Sequence, residues 1–247
     1  MHLQYTQKRN GLFILRKSDI EDIATDILRE YAPHTLSTPS RLDENYLAQE
    51  CLGLDIRDRY ITPNASILGL IAFSDTVWPV LTAGRVVAEP LPEGTMLVDA
   101  SLLGKAHQAR RRFTIVHEAS HFALHRSYHD PSHRIYEFRH NPSVIACREA
   151  TIERYGWHHN HVWSDDDWAE WQADSLAAAL LMPRNPFCDA FESAMRHSGI
   201  RYRYLVKNEN VRQANEVINE TAQLFGVSRK AAQIRMNQFG LIREHHI

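Results

Sequence analysis

The chain has 247 residues, 44% hydrophobic and 23% charged, the balance of a folded globular protein with room for one large domain or one domain plus a small one. A formal net charge of -2 excludes a whole-molecule field that would draw nucleic acid or an anionic membrane. Three widely spaced cysteines (Cys51, Cys147, Cys188) exclude a disulfide framework and point to a reducing compartment. With no signal-like segment and no run of about 18 apolar residues, the expectation is a cytoplasmic protein without a membrane partner.

Ser18 and Glu21 form an S-x-x-E box ahead of apolar residues at Ile20, Ile23, Ala24, Ile27, Leu28 and Tyr31, which predicts a helix over 18–31. Ala32-Pro33 ends it. A short helix is expected over 41–52, with Gly53 as its stop. The pattern then changes. LDIRDRYI, ILGLIAFSD, TVWPVL and TMLVDASL are short, rich in β-branched residues and separated by turn residues, so a small antiparallel sheet is expected over 54–102. KAHQARRRFTIVHEASHFALH reads as one helix over 105–126. Residues 127–164 show no period and are long for a structureless loop, so they form a functional or partly structured insert. Ser164 followed by Asp165, Asp166 and Asp167 looks like an N-cap and an acidic first turn. The helix it opens runs to Met182 and is closed by Pro183, and two or three further helices complete the chain.

Of the 15 histidines, many fall between 107 and 161. His117-Glu118-Ala119-Ser120-His121 is an H-E-x-x-H pentamer. On a helix, residues i and i+4 share a face, so His117 and His121 can grip one zinc ion through ring nitrogens. Glu118, one residue round, can reach water at such an ion without being a ligand. The alternative is a pair of core histidines beside a solvated glutamate. A catalytic zinc site takes three protein ligands. The position six residues after His121 is Ser127, which excludes the three-histidine extension of this motif, and His125, at i+8 from His117, drifts off the ligand face. In DDDWAEWQADSLAAALLMP, Glu170 and Asp174 again stand at i, i+4. Glu170 can complete a His-His-Glu set, and Asp174 can hold the other ring nitrogen of a liganding histidine. Two solvated acids are the alternative, but the helix is largely apolar, and charges near such a surface need partners.

HEASH followed by EWQADSLAAALLMP resembles the ImmA/IrrE-type metallopeptidases, whose second motif reads approximately E-x-x-A-[ND]-x-[FL]-A-x-x-L-L-M-P. The resemblance covers roughly 15–183. It implies an α+β fold, with a small sheet and a helical gluzincin-like core, and a zinc-dependent endopeptidase. His117, His121 and Glu170 would be the ligands, Glu118 the catalytic base and Asp174 a support to a ligand. It also implies the partner, a cytoplasmic helix-turn-helix repressor as protein substrate. The chain departs from the pattern at Ser120, where the family often has Gly, and in the length of the gap over 122–169. His125, Tyr128, His129, His133 and Tyr136 lie near the motif, and none is assigned as an oxyanion partner.

Cys147 in the insert reads as a small buried hydrophobe before it reads as an inhibitory ligand. His158, His159 and His161 in GWHHNHVW read as an exposed polar loop, with a second metal site or a metal nuclease as the sharper alternative. The tail NEVINETAQLFGVSRKAAQIRMNQFGLI is helix-turn-helix-like. Ala222 is the small residue, Gly226 the turn and Ser228 the cap of a second helix that carries Arg229, Lys230 and Arg235. These three are candidates for packing or substrate docking, or for DNA contact, and Arg235 stands where such motifs carry an apolar residue. The expected organisation is a zincin-like domain over 1–195, with the insert 127–164, and a helix-turn-helix-like region over 196–247. The competing function is a zinc-containing DNA- or protein-binding regulator without peptidase turnover.

Overall fold

The computed structural model describes residues 4–130, 144–148 and 162–245, the 144–148 segment by its backbone alone. The protein is α+β, with helices and small sheets. Helix α1 (Lys17–Tyr31) starts one residue ahead of the expected boundary because a different acid caps it: Asp19 accepts the Arg16 N–H at 2.8 Å. Helix α2 (Glu44–Tyr46) begins at a capping Asp43 rather than at Arg41. It widens into a π-helical turn (Leu47–Cys51) and stops at Gly53, whose φ is +68°. Among the described residues no helix is long and apolar enough to cross a membrane.

The strands are β1 (Asp55–Arg59), β2 (Ile67–Ala72), β3 (Thr76–Thr82), β4 (Arg85–Leu91), β5 (Thr95–Asp99) and β6 (Val144–Arg148). They do not form one antiparallel sheet. β3 and β4 pair as a separate ribbon, joined by Ala83 and Gly84, both at positive φ, the backbone that a tight hairpin requires. β5 then enters between β1 and β2. It runs antiparallel to β2 and parallel to β1, giving the order β1-β5-β2-β6. β6 comes from the stretch that showed no period in the sequence, and it pairs antiparallel with β2.

Both faces of β2 and β5 are covered, which is why ILGLIA and TMLVD read as apolar runs rather than alternations. On one face Ile71, Met96 and Val98 pack against Ile115, Ala119 and Phe122 of helix α3 (Gln108–His129). On the other, Leu70 and Leu97 pack with Val80 and Leu91 of the ribbon. Gly69 sets how closely α3 approaches. A Cβ there would stand 2.5 Å from Thr114 Cγ2 and 2.8 Å from Glu118 Oε1. Helix α4 (Asp165–Leu181) is capped by Ser164 as expected: Ser164 Oγ accepts the Asp167 N–H at 3.1 Å, and Asp167 Oδ2 accepts the Ser164 N–H at 2.9 Å.

The chain divides into two compact units, Met1–Ile20 with Asp43–Ala177, and Glu21–Leu42 with Ala178–Ile247. The second unit holds α5 (Arg184–His197), α6 (Val211–Phe225) and α7 (Arg229–Gln238), and a parallel pair of two-residue strands, β7 (Leu205–Val206) and β8 (Ile242–Arg243). Its core includes Phe187, Phe191, Val217, Phe225, Ala232 and Met236. The turn between α6 and α7 has Gly226 at φ +64°, and Ser228 Oγ accepts the Ala231 N–H at 3.1 Å. Arg229 and Lys230 are exposed. Arg235 is not: it lies in the packing of this unit, 3% exposed. Its guanidinium donates to both carboxylate oxygens of Glu21 (2.6 and 2.9 Å) and to the Met182 carbonyl (3.1 and 3.0 Å), and it lies 4.3 Å over the Phe239 ring. A charged side chain thus fills the apolar-type position of α7 because it takes an acid and a carbonyl with it.

Two substitutions measure these contacts. Arg235→Leu leaves Glu21 and the Met182 carbonyl without their donor and is expected to cost on the order of 3 kcal/mol in urea unfolding; stability within experimental error of the parent would contradict the role. Gly69→Ala crowds Thr114 and Glu118 and is expected to cost about 1–3 kcal/mol, read by the same measurement.

Candidate metal centre

Helix α3 is buried along Thr114–Phe122, polar residues included, since Ile115, Ala119 and Phe122 face the sheet. His117 and His121 are fully buried, one turn apart, with their rings at 4.6 Å and edge-on. Their Nε2 atoms are 3.0 Å apart. Glu170, part-buried on α4, brings Oε2 to 3.5 Å from His117 Nε2 and Oε1 to 3.5 Å from His121 Nε2. Ligand atoms of the three residues all lie within 4.8 Å of one another, so the group could hold a metal ion.

The start of α4 is anchored where Glu170 and Asp174 can meet α3. Lys8 pairs with Asp165, Asn10 Nδ2 donates to Asp165 Oδ2 at 2.7 Å, and the Tyr128 hydroxyl donates to Asp166 Oδ1 at 2.7 Å. The acidic first turn, legible in the sequence as a complement to the helix dipole, thus also fastens α4. Asp174 then stands with Oδ1 at 2.8 Å from His117 Nδ1. A carboxylate only accepts, so a proton on His117 Nδ1 would face Asp174 and leave the Nε2 lone pair toward Glu170, although the contact lacks the alignment of a hydrogen bond.

Donor atoms about 2.1 Å from a tetrahedral ion stand about 3.4 Å apart. The two Nε2 atoms at 3.0 Å, each with a different Glu170 oxygen at 3.5 Å, and one donor atom from each residue within 4.8 Å of the others, are near that spacing. Glu170 Oε2 is also buried without a hydrogen-bond partner among the described residues, which suits a metal-binding oxygen. Glu118 is fully buried against Gly69, so the solvated glutamate of the alternative reading is not what the helix carries.

The first unit supplies two further contacts to the motif. His125, fully buried, has Nδ1 at 3.0 Å from His121 Nδ1, and its Nε2 is 3.1 Å from Gln172 Oε1. Gln172 Nε2 donates to the Phe13 carbonyl at 2.8 Å. The sequence reading passed over Gln172, although it lies two residues beyond Glu170 on a helix whose apolar composition marked it as buried. His133, Tyr136, His158, His159 and His161 lie outside the described residues, as does the side chain of Cys147. No family model matches the chain, and no curated protein matches it.

Burial works to raise the Glu170 carboxyl, but the neighbouring imidazoles of His121 and His117 outweigh it and hold Glu170 well below the usual carboxylate range. Burial lowers His121 from 6.5 against the pull of Glu170, and it lowers His125 further, helped by the neighbouring charge of His121. In the metal-free chain both rings resist a proton that the unfolded chain accepts below about 6.5. The unfolded state then binds more protons, so stability rises with pH and falls on acidification below about 6.5, by at most about 1.4 kcal/mol per pH unit for each ring. Urea unfolding of the metal-free protein between pH 7 and pH 5 checks this, and a flat profile would contradict it.

Proposed function

We propose that the chain is a zinc metalloendopeptidase of the ImmA/IrrE type that cleaves a helix-turn-helix transcriptional repressor. The observation that carries the reading is the convergence of His117 Nε2, His121 Nε2 and both oxygens of Glu170, with Asp174 behind His117. Two imidazoles and one carboxylate are a donor set that suits zinc. A zinc ion held there supplies Lewis acidity, polarising a scissile carbonyl and acidifying water.

The chain's own residues carry the rest. His117, His121 and Glu170 hold the ion from two helices, and Asp174 orients His117. Glu118 takes a proton from the attacking water as the new C–O bond forms, and passes it to the leaving amine as the C–N bond breaks. Its burial beside Gly69 supports this role, because the packing holds the carboxylate in one place next to the metal-binding face of α3. The repressor substrate follows from the motif resemblance. For the tail, the burial of Arg235 favours packing over DNA contact, and the exposed Arg229 and Lys230 leave a surface for the substrate.

Metal analysis of the purified chain, followed by incubation with a helix-turn-helix repressor, tests the reading. Glu118→Gln is expected to retain one zinc per chain while the cleavage rate falls by about 10² to 10⁴. His117→Ala is expected to lose the zinc. A Glu118→Gln variant that cleaves at the parent rate would overturn the mechanism, and zinc without cleavage of any repressor would favour the non-catalytic regulator.

A further inference from the structure

The row of polar groups behind His121 is not needed to ligate an ion, yet every member is paired. Phe13 sits in a small N-terminal loop closed by the Gln7–Phe13 bridge and by Lys8 N–H to Leu12 O at 2.7 Å. Gly11 (φ +83°) lets that loop lie against α3, where a Cβ would stand 2.5 Å from the Ser127 carbonyl oxygen. The Phe13 carbonyl is therefore a fixed acceptor.

The proton positions follow from that one carbonyl. A carbonyl only accepts, so Gln172 must present its NH2 to Phe13, at 2.8 Å, and its Oε1 to His125. Oε1 also only accepts, so His125 must carry its proton on Nε2. In a neutral ring that leaves His125 Nδ1 as an acceptor. Facing it at 3.0 Å is His121 Nδ1, and only one proton fits between two ring nitrogens at that distance, so His121 carries its proton on Nδ1. The Nε2 of His121 is then a bare lone pair. It points to where His117 Nε2 and the Glu170 oxygens converge.

We propose that Gln172 and His125 are positioning residues that hold His121 in the Nδ1–H tautomer, so that its Nε2 is preset as a metal ligand. The role complements that of Asp174 on His117: one histidine is fixed by a carboxylate, the other by an uncharged chain of His125, Gln172 and a main-chain carbonyl. The choice has an electrostatic consequence. With Asp174 and Glu170 already near the ion, a third carboxylate behind His121 would add negative charge to a buried site, whereas the relay fixes the same tautomer without charge. This inference rests on the metal-binding part of the proposed function and not on peptidase activity.

The test has two readouts. In the metal-free full chain at neutral pH, ¹⁵N NMR of labelled histidines reads the tautomers directly. His125 is expected as Nε2–H and His121 as Nδ1–H, and the opposite assignment for either overturns the proposal. Zinc affinity, by competition with a chromophoric chelator, is expected to fall about 10- to 100-fold in Gln172→Met, as for other groups that orient a metal-binding histidine. Gln172→Glu keeps an acceptor for the His125 Nε2–H but sets a carboxylate against the Phe13 carbonyl, so its zinc affinity is expected to fall less than that of Gln172→Met. Parent affinity in a folded Gln172→Met, or an equal loss in both variants, overturns the role. Should Gln172→Met fail to fold, the tautomers of the parent chain decide the matter alone. A parent chain that binds no zinc removes the metal reading, and the ¹⁵N spectrum still reports whether the relay exists.

Discussion

The structure turns on a cluster of acceptors that face one another inside the first unit. The Nε2 atoms of His117 and His121 stand 3.0 Å apart, with the Glu170 carboxylate closing the triangle. Asp174 Oδ1 stands behind one ring, 2.8 Å from His117 Nδ1. Such a cluster is costly when buried, because lone pairs repel and each atom has lost its water. The surrounding architecture holds it in place. The sheet buries one side of α3, α4 brings the acids to another, and the N-terminal loop and Tyr128 pin the first turn of α4. A cation at the centre would turn that repulsion into attraction, which is what the proposed metal site offers a helix otherwise made for burial.

The two units use charge differently. In the first, His117, His121 and Glu170 converge on a point that could hold a metal ion. In the second, Arg235 meets Glu21 and the Met182 carbonyl, and no group is left over. The first arrangement brings donor atoms together, and the second is spent on packing. The helix pair α6 and α7 keeps the turn chemistry of a nucleic-acid-binding motif in Gly226 and Ser228, while one of its three basic residues is committed inward.

Much of the metal group was legible because ligand chemistry is written in local spacing. The i, i+4 pairs of α3 and of α4 each lie within one helix, and burial of α4 could be read from its alanines and leucines. The Ser164 cap was equally local. What sequence could not supply was which separate pieces meet. Glu21 looked like half of a capping box, but Asp19 caps α1 and Glu21 serves Arg235, more than two hundred positions away. β1 runs parallel to β5 because the β3–β4 ribbon folds apart, a choice that no strand's own pattern reveals. His125 drifts off the ligand face by its spacing, but its contact with Gln172 depends on how two helices cross.

Gly69 ties the sheet to the helix at a single point. The space above it is shared by Thr114 and Glu118, so the residues tolerated at 69, 114 and 118 form one joint alphabet rather than three. A side chain at 69 needs a smaller neighbour at 114, such as serine without the Cγ2 methyl, before it fits. A change at any one of the three is therefore constrained by the other two.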